Sequence, residues 1–573
     1  MNAAEDETIA AQAGKAPRLA GQNRLRLIGM GFGLAFLAIS AQLVALTVLP
    51  NLDEPEEARV PIEARLPRPD IVDRNGVLLA SDVRVPSLFA DPQKIIDVDE
   101  AVELLTANIP DLDPKQLRAK LSQKNRFAWL KREISPAERD AIFNLGIPGI
   151  GFVNETKRVY PMGRLAAHVL GYVDLDSKGI AGIEKYLDDQ GALYTASIAD
   201  PEAQSAYPAQ ISIDIRVQHV LADEIGRAIT QFEALAGGAV VLDINTGEVV
   251  GLVSLPDFNP NASGKNFKSQ QQNQMMSGVY ELGSVIKAIT FAMCFDFGTA
   301  TLESRYDARF PLIIGRAAIN DFRGLRRVLT VPEVFTNSSN IGTARMALEV
   351  GPQRHQEFLR KVGLFDRLLT EVPESAKPLL PPRWGKLVTA TAAFGHGFAV
   401  QPLQGASVVA GLLNGGRLIT PTFLKRDRAT AEGLAQQVVK PKTSEIMREL
   451  FRLNVIQGTA KRADAVGYRV GGKTGTAEKV INGRYSKTNR LTSFIGAFPM
   501  EAPRYLLLVM LDDPRPSPAT FGQATSGWNA VPTAGKIISR IAPLLGIEPI
   551  LTEEDRKKLE KQEKQALANK TED

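Results

Sequence analysis

The apolar positions of this chain change period from one end to the other. From Leu27 to Leu49 the stretch LIGMGFGLAFLAISAQLVALTVL runs for 23 residues without a charge. At 1.5 Å per residue a helix of that length covers roughly 34 Å, enough to cross a bilayer core of about 30 Å. Residues 50–70 are dense in proline and charge and read as a linker. In IVDRNGVLLASD (71–82) two short apolar runs flank Asn75-Gly76, which predicts a hairpin. Residues 98–145 read as helical, with Asp113 and Pro114 opening DPKQLRAKLSQKN as N-cap and first helical residue. In KGIAGIEKYLDD (178–189) Gly179 and Gly182 flank an apolar turn and Glu184 begins a short helix. No catalytic constellation stands out up to this point, so the region reads as a scaffold.

A second domain is expected from about residue 211. ISIDI (211–215) reads as a strand, and Val217, Val220, Leu221, Ile225, Ile229 and Phe232 then fall at helical spacing. GGAVVLDINTGEVVGLVSLP (237–256) is two β-rich runs around Asn245-Thr246-Gly247. TGTAEKVINGRYSKTNRLTSFIGAFP (474–499) carries Asn482-Gly483, a strong short hairpin signal, and RYLLLVMLDDP (504–514) reads as a buried strand. Helices are expected around 331–349 and 386–414. Strands at both ends with helices between them imply an α+β domain: one sheet built from distant segments and covered by helices. The C-terminal LTEEDRKKLEKQEKQALANKTED reads as a mixed-charge solvated helix or tail.

Charge and composition sharpen this picture. Lys15, Arg18, Arg24 and Arg26 precede the apolar run, and Asp53, Glu54, Glu56 and Glu57 follow it. The asymmetry predicts a cytoplasmic N-terminus with the rest of the chain outside. The run exceeds the usual signal-peptide core and lacks an A-x-A at its end, so an uncleaved anchor is expected rather than a cleaved signal. Gly29 and Gly33 form a G-x-x-x-G, a weak signal in a membrane span. The formal net charge is +4 and no basic stripe with aromatics occurs, so nucleic-acid binding is not expected. A single cysteine, Cys294, permits no internal disulfide, and four scattered histidines without H-E-x-x-H or C-x-x-C give no reason to expect a metal.

Candidate chemistry sits at three places. In ELGSVIKAIT (281–290) Ser284 and Lys287 interrupt an otherwise apolar segment. On a helix, i and i+3 project from one face. Serine needs a base within reach, and a lysine serves when burial and a nearby cation lower its pKa. Gly283 fits a helix start, where backbone N–H groups favour a developing oxyanion. In FTNSSNIGTARMA (335–347) Ser338 and Asn340 offer a hydroxyl and an amide; read alone, the cluster is an N-cap. In GGKTGTAEK (471–479) Lys473 offers charge to a carboxylate, Thr474 and Thr476 offer hydroxyls, and Gly475 leaves room for another backbone. Gly467 to Thr474 also matches P-loop spacing, but a β stretch follows where a phosphate loop needs a helix.

S-x-x-K, S-x-N and K-T-G in that order are close to the signature of penicillin-binding proteins and class A β-lactamases. With the anchor, R-P-D-I-V-D-R-N-G-V-L-L-A (68–80), R-V-Y-P (158–161), H-V-L-G-Y-V (168–173), G-I-A-G-I-E (179–184), T-G-E-V-V-G-L-V-S-L-P-D-F-N-P-N (246–261) and G-H-G (395–397), the chain resembles class B penicillin-binding proteins over nearly its whole length. The resemblance is to the FtsI-type septal D,D-transpeptidases more than to the elongation branch. It implies a cytoplasmic tail (1–26), a transmembrane anchor (27–49), a linker and pedestal, dimerisation-like domain (50–210), a transpeptidase domain with an antiparallel sheet between helical layers (211–548) and a charged tail (549–573). It further implies Ser284 as nucleophile on the D-Ala–D-Ala bond of a peptidoglycan stem peptide and Lys287 as its base. Ser338 and Asn340 would relay a proton and orient substrate. Lys473, Thr474, Gly475 and Thr476 would hold the carboxylate end, with the Ser284 and Thr476 N–H groups as oxyanion hole. No metal or organic cofactor is implied; β-lactams, an FtsW-type glycosyltransferase and other septal proteins are the implied partners, and the inner membrane the location. Ser339 replaces the Asp of the β-lactamase motif and no E-x-x-L-N occurs, so a β-lactam acyl-enzyme should be long-lived. A D,D-carboxypeptidase and a non-catalytic division scaffold or β-lactam sensor are the alternatives.

Overall fold

The computed structural model describes residues 16–48, 68–190, 208–262, 271–481, 483–553, 555–557 and 560. The expected linker therefore lies mostly outside the described residues, as do Asn482 and most of the charged C-terminal stretch. Helix α1 (Ala16–Val48) contains the apolar run as far as Val48; its segment Arg26–Val44 has a mean hydropathy of 2.0 and is long and apolar enough to cross a membrane. Beyond it, residues 86–154 form one compact unit, and residues 68–85 with the chain from 155 onward form another.

The expected hairpin forms between β1 (Ile71–Val72) and β2 (Leu78–Ala90), paired antiparallel through Ile71 and Ala80. Asp73 makes the turn: its Oδ1 accepts from Asn75 N at 2.7 Å and Val77 N at 2.9 Å. In the smaller unit, α2 (Val98–Asn108) and α3 (Pro114–Leu121) follow, and Asp113 caps α3 as expected. The reading of 98–145 as helical fails at β3 (Ala128–Lys131), which pairs with the end of β2. Ala128 and Leu130 face the core there while Trp129 does not, a period of two that a short apolar run conceals. Helix α4 (Pro136–Phe143) opens on a Ser135–Glu138 capping box, and Leu88, Leu105, Leu117, Leu130 and Ile142 share the unit's core.

In the larger unit α5 (Gly182–Asp189) carries Glu184 into a buried charge cluster. Arg158 Nε donates to Glu184 Oε1 at 2.7 Å with both side chains fully enclosed, and Arg68 Nε donates to Oε2 at 2.9 Å. Removing one partner of such a cluster costs about 3–5 kcal/mol, because the other charge is left buried alone.

ISIDI is not a full strand. The pairing stops at Gln210, Ile211 makes an isolated bridge to Leu424, and Asp214 already caps α6 (Ile215–Gln231). Strands β4 (Ala236–Asp243) and β5 (Val249–Leu255) form the expected hairpin. Helix α7 (Lys287–Asp296) follows, then α8 (Val331–Thr336), α9 (Asn340–Val350), α10 (Lys386–Ala392), α11 (Pro402–Leu413) and α12 (Pro441–Gln457). The helices expected over 331–349 and 386–414 are thus each broken in two, at 337–339 and around Gly395–Gly397. Strands β6 (Gly471–Ile481), β7 (Arg484–Phe498) and β8 (Tyr505–Asp512) precede α13 (Ala530–Leu544).

The sheet order is β6-β7-β8-β4-β5, antiparallel throughout, so β6 is an edge strand. The apolar runs of β4 and β8 are continuous because both faces are covered. Val240, Leu242, Leu506 and Leu508 point into a core shared with α7, α11 and α12, whereas Ala239, Val241, Leu507 and Val509 point into one shared with α6 and α13. Helix α7 is buried on every side from Lys287 to Cys294, packed by α9, α11 and α12.

Candidate active site

Ser284 lies in a tight 3-10 turn, Gly283–Val285, just ahead of α7. Among its buried neighbours Gly283, Val285, Ile286 and Lys287 it alone is half-exposed. Ser284 and Lys287 therefore do not share one continuous helix; Lys287 is the first residue of α7. The turn rests on the edge strand. Gly283 has φ +55°, and a Cβ there would stand 2.9 Å from Thr476 O; a Cβ on Gly475 would stand 2.7 Å from Leu282 O and 2.2 Å from Ser493 Oγ. Both glycines are required because two backbones meet at a spacing that leaves no room for a side chain.

The second motif is held by structure that its own letters do not announce. Helix α8 opens on a Thr330–Glu333 capping box, and the chain then turns through Ser338, whose φ is +56°. A non-glycine residue in that region is strained and persists where its surroundings fix it. Ser339 is the N-cap of α9: its Oγ accepts from Gly342 N at 3.0 Å and donates to Asp321 Oδ2 at 2.7 Å. Asp321 Oδ1 also accepts from Ile341 N at 2.9 Å, and Asn340 Nδ2 donates to Asn320 O at 3.0 Å. The capping function expected of this cluster belongs to Ser339, which frees Ser338 to face the lysines.

Three elements converge on Ser338. Lys287 Nζ donates to its carbonyl at 2.5 Å and to its Oγ at 3.1 Å; Lys473 Nζ, from β6, donates to the same Oγ at 2.9 Å and to Thr474 O at 3.2 Å. Both lysines are fully buried. Burial, then the adjacent Lys473 charge, holds Lys287 well below the ordinary lysine range, with Asp321 opposing; burial pushes Lys473 down to about 7. Burial that disfavours the ammonium form makes a lysine amine available as a base. A hydroxyl that accepts from two amines keeps its own proton to give elsewhere.

On β6, Thr474 Oγ1 shares a hydrogen bond of 2.9 Å with Thr459 Oγ1, and Thr476 Oγ1 accepts from Ser526 N at 3.3 Å. Asn454 braces the start of the strand by donating to Gly472 O at 2.7 Å. The eight residues singled out from the sequence thus fall on the Ser284 turn, the first residue of α7, the α8–α9 junction or the edge strand. Asn320, Asp321, Asn454, Thr459 and Ser526 were missed: they are common polar residues with no motif, distant in the chain, and only packing brings them here. Among the described residues no group of three or more His, Cys, Asp or Glu could hold a metal.

A half-exposed serine on a tight turn, with two buried lysines of lowered pKa meeting beside an edge strand, has the parts of a serine acyl-transferase site. Family models agree with it: a penicillin-binding protein transpeptidase domain matches residues 237–539, and a penicillin-binding protein dimerisation domain matches residues 63–190. The chain belongs to the penicillin-binding protein family, with FtsI-type relatives. It is similar to a probable peptidoglycan D,D-transpeptidase FtsI of Caulobacter vibrioides, at 39% identity over 84% of this chain and 82% of that one. The peptidoglycan D,D-transpeptidase FtsI of Escherichia coli is 31% identical over 84% of each chain. Of solved structures, the transpeptidase domain of Burkholderia pseudomallei penicillin-binding protein 3 matches at TM-score 0.54 and 29% identity, covering 60% of this chain and 98% of that one. A peptidoglycan synthetase from Bifidobacterium adolescentis matches at TM-score 0.65 and 20% identity, over 85% of this chain and 97% of that one, and shows the shared fold.

Proposed function

We propose that the chain is a septal peptidoglycan D,D-transpeptidase that cross-links stem peptides through an acyl-enzyme on Ser284. The observation that carries this is the Ser338 hydroxyl held between two buried amines, one from the start of α7 just past the nucleophile's turn and one from the edge strand. The stem peptide lies along β6, an edge strand to which an extended peptide can add. Lys473, Thr474 and Thr476 receive its terminal carboxylate, and Gly475 lets the nucleophile's turn press against β6. Neutral Lys287 takes the Ser284 proton as Oγ adds to the penultimate D-Ala carbonyl. Backbone N–H groups of Ser284 and Thr476 receive the oxyanion, worth about 3–4 kcal/mol per donor in comparable sites. The C–N bond breaks, and Ser338 passes the proton to the leaving D-Ala while Asn340 holds the peptide. An amine from a neighbouring stem then takes the acyl group, and Ser284 regains its proton.

The apolar helix α1 anchors the protein in the inner membrane, N-terminus inside and both compact units in the periplasm, with an FtsW-type glycosyltransferase and other septal proteins as partners. The test is to incubate the full-length chain in detergent with a labelled penicillin and map the modified residue. Label on Ser284 that turns over slowly supports the reading; label elsewhere, or none, overturns it. Cross-linked dimers rather than D-Ala release alone separate it from a carboxypeptidase.

A further inference from the structure

Beside the nucleophile stands a polar cluster that takes no part in acylation. Glu281, three residues before Ser284, accepts through Oε1 from Gly397 N at 2.9 Å and from the Tyr485 hydroxyl at 2.8 Å. Its Oε2 is buried and, among the described residues, has no hydrogen-bond partner; the same holds for His396 Nδ1. The two residues belong to one structure: the His396 ring lies 5.5 Å from the Tyr485 ring, and Gly397 joins His396 to Glu281. The loop is pressed against the nucleophile's turn, since a Cβ on Gly395 would stand 2.2 Å from Gly283 O. Burial, the Glu281 hydrogen bond and the nearby carboxylates of Glu281 and Glu478 push the Tyr485 hydroxyl up. Glu478 has Arg490 opposite it on β7; Glu281 has no cation as partner among the described residues.

An unpartnered carboxylate oxygen and an imidazole nitrogen both call for a donor, and leaving such groups buried unmet costs about 1–3 kcal/mol or more each. The second substrate of a transpeptidase is an amine, protonated at neutral pH and rich in donors. We infer that Glu281, with His396 and under the cap of Tyr485, is the docking subsite for the ammonium group of the acyl acceptor. This rests on the transpeptidase reading and adds the residue that selects an amine over water. The ammonium displaces the Tyr485 hydroxyl from Glu281, a charge-assisted hydrogen bond replacing a weaker neutral-donor one. It also donates to His396 Nδ1, whose ring proton then sits on Nε2. The docked group releases one proton to water. Its lone pair adds to the acyl carbonyl, the C–N bond forms and the C–Oγ bond to Ser284 breaks. A second N–H proton returns to Ser284 Oγ by way of Ser338 and Lys287.

The experiment uses the full-length protein in detergent with an N-acyl-D-alanyl thioester donor and two acceptors of one shape: glycinamide, which carries an ammonium, and glycolamide, which carries a hydroxyl. The readout is the ratio of transferred to hydrolysed product. Glu281→Gln keeps the shape and the hydrogen bonding but removes the charge. It should lower the glycinamide ratio about tenfold or more, the loss of one charge-assisted contact, and leave the glycolamide ratio unchanged. Tyr485→Phe removes the competing hydroxyl and should raise the glycinamide ratio. Parallel loss with both acceptors, no loss with glycinamide, or a fall in the Tyr485→Phe ratio overturns the inference while the Ser284 reading stands. Wild-type protein that forms no acyl-enzyme on Ser284 with labelled penicillin overturns both.

Discussion

Replacing Lys473 by methionine should make the protein more stable as it makes it inactive. Lys473 is fully enclosed, and burial pushes its pKa from 10.5 down to about 7. The gap between those values corresponds to about 5 kcal/mol spent on holding the ammonium away from water. Methionine matches the length and carries no charge. It forfeits the contacts with Ser338 Oγ at 2.9 Å and Thr474 O at 3.2 Å. At about 1 kcal/mol each these leave a net gain of about 3 kcal/mol at neutral pH. Ser338 Oγ keeps its bond from Lys287. The sign follows from proton counting: between pH 7 and 10.5 the unfolded chain binds the proton and the folded one does not, so wild-type stability rises with pH across that window. The advantage of Lys473→Met is therefore full at and below pH 7 and gone by pH 10.5. Calorimetry of the full-length chain in detergent should show a Tm gain of about 3 °C at neutral pH, closing in alkali, at about 1 °C per kcal/mol for a unit of this length. Penicillin acylation should be lost at every pH. A variant no more stable at neutral pH, or one whose gain does not change with pH, would refute the burial argument.

Lys287→Arg should lower Ser284 acylation by about a hundredfold or more, since a guanidinium accepts no proton at working pH. Lys287→Met, which removes the amine without burying a permanent charge, should do the same, and near-normal labelling by the arginine variant would end the base assignment. Ser339→Ala should cost about 1 kcal/mol or more of stability as a lost cap, read by denaturant midpoint, yet keep penicillin acylation. Asn340→Ala should show the opposite balance, and the reverse order would mean that the roles within the motif are exchanged. Gly283→Ala should abolish acylation, because its Cβ would meet Thr476 O at 2.9 Å at φ +55°; an active variant would show that the turn and the strand edge move freely. A reporter fused after Asp573 should be active only outside the cytoplasm, and a mature N-terminus beyond Leu49 would remove the anchor.

Much of this protein is written in short-range pattern. The uncharged run from Leu27, the Asn75-Gly76 and Asn245-Thr246-Gly247 turns, the Asp113 cap and the continuous apolar runs of β4 and β8 are set by chain stiffness and hydrophobicity, which act between near neighbours. The three motifs were legible too, because each confines its chemistry to a few adjacent residues. Packing decided the rest. Residues 128–131 became a strand because β2 offers a partner there, and the strand expected over ISIDI is reduced to one bridge at Ile211, with Asp214 serving as a helix cap. Nothing near Ser338 in the chain reveals that Lys287 and Lys473 would meet on its hydroxyl, that Asp321 would hold Ser339, or that Glu281 would face His396 and Tyr485. These pairings join residues 18 to 204 positions apart. Their energies depend on burial, which removes the solvent that would otherwise keep every lysine charged and every carboxylate paired with water. A sequence names the groups that could react; the low-dielectric enclosure that shifts their proton affinities exists only once the sheet edge, the nucleophile turn and the α8–α9 junction have closed around them.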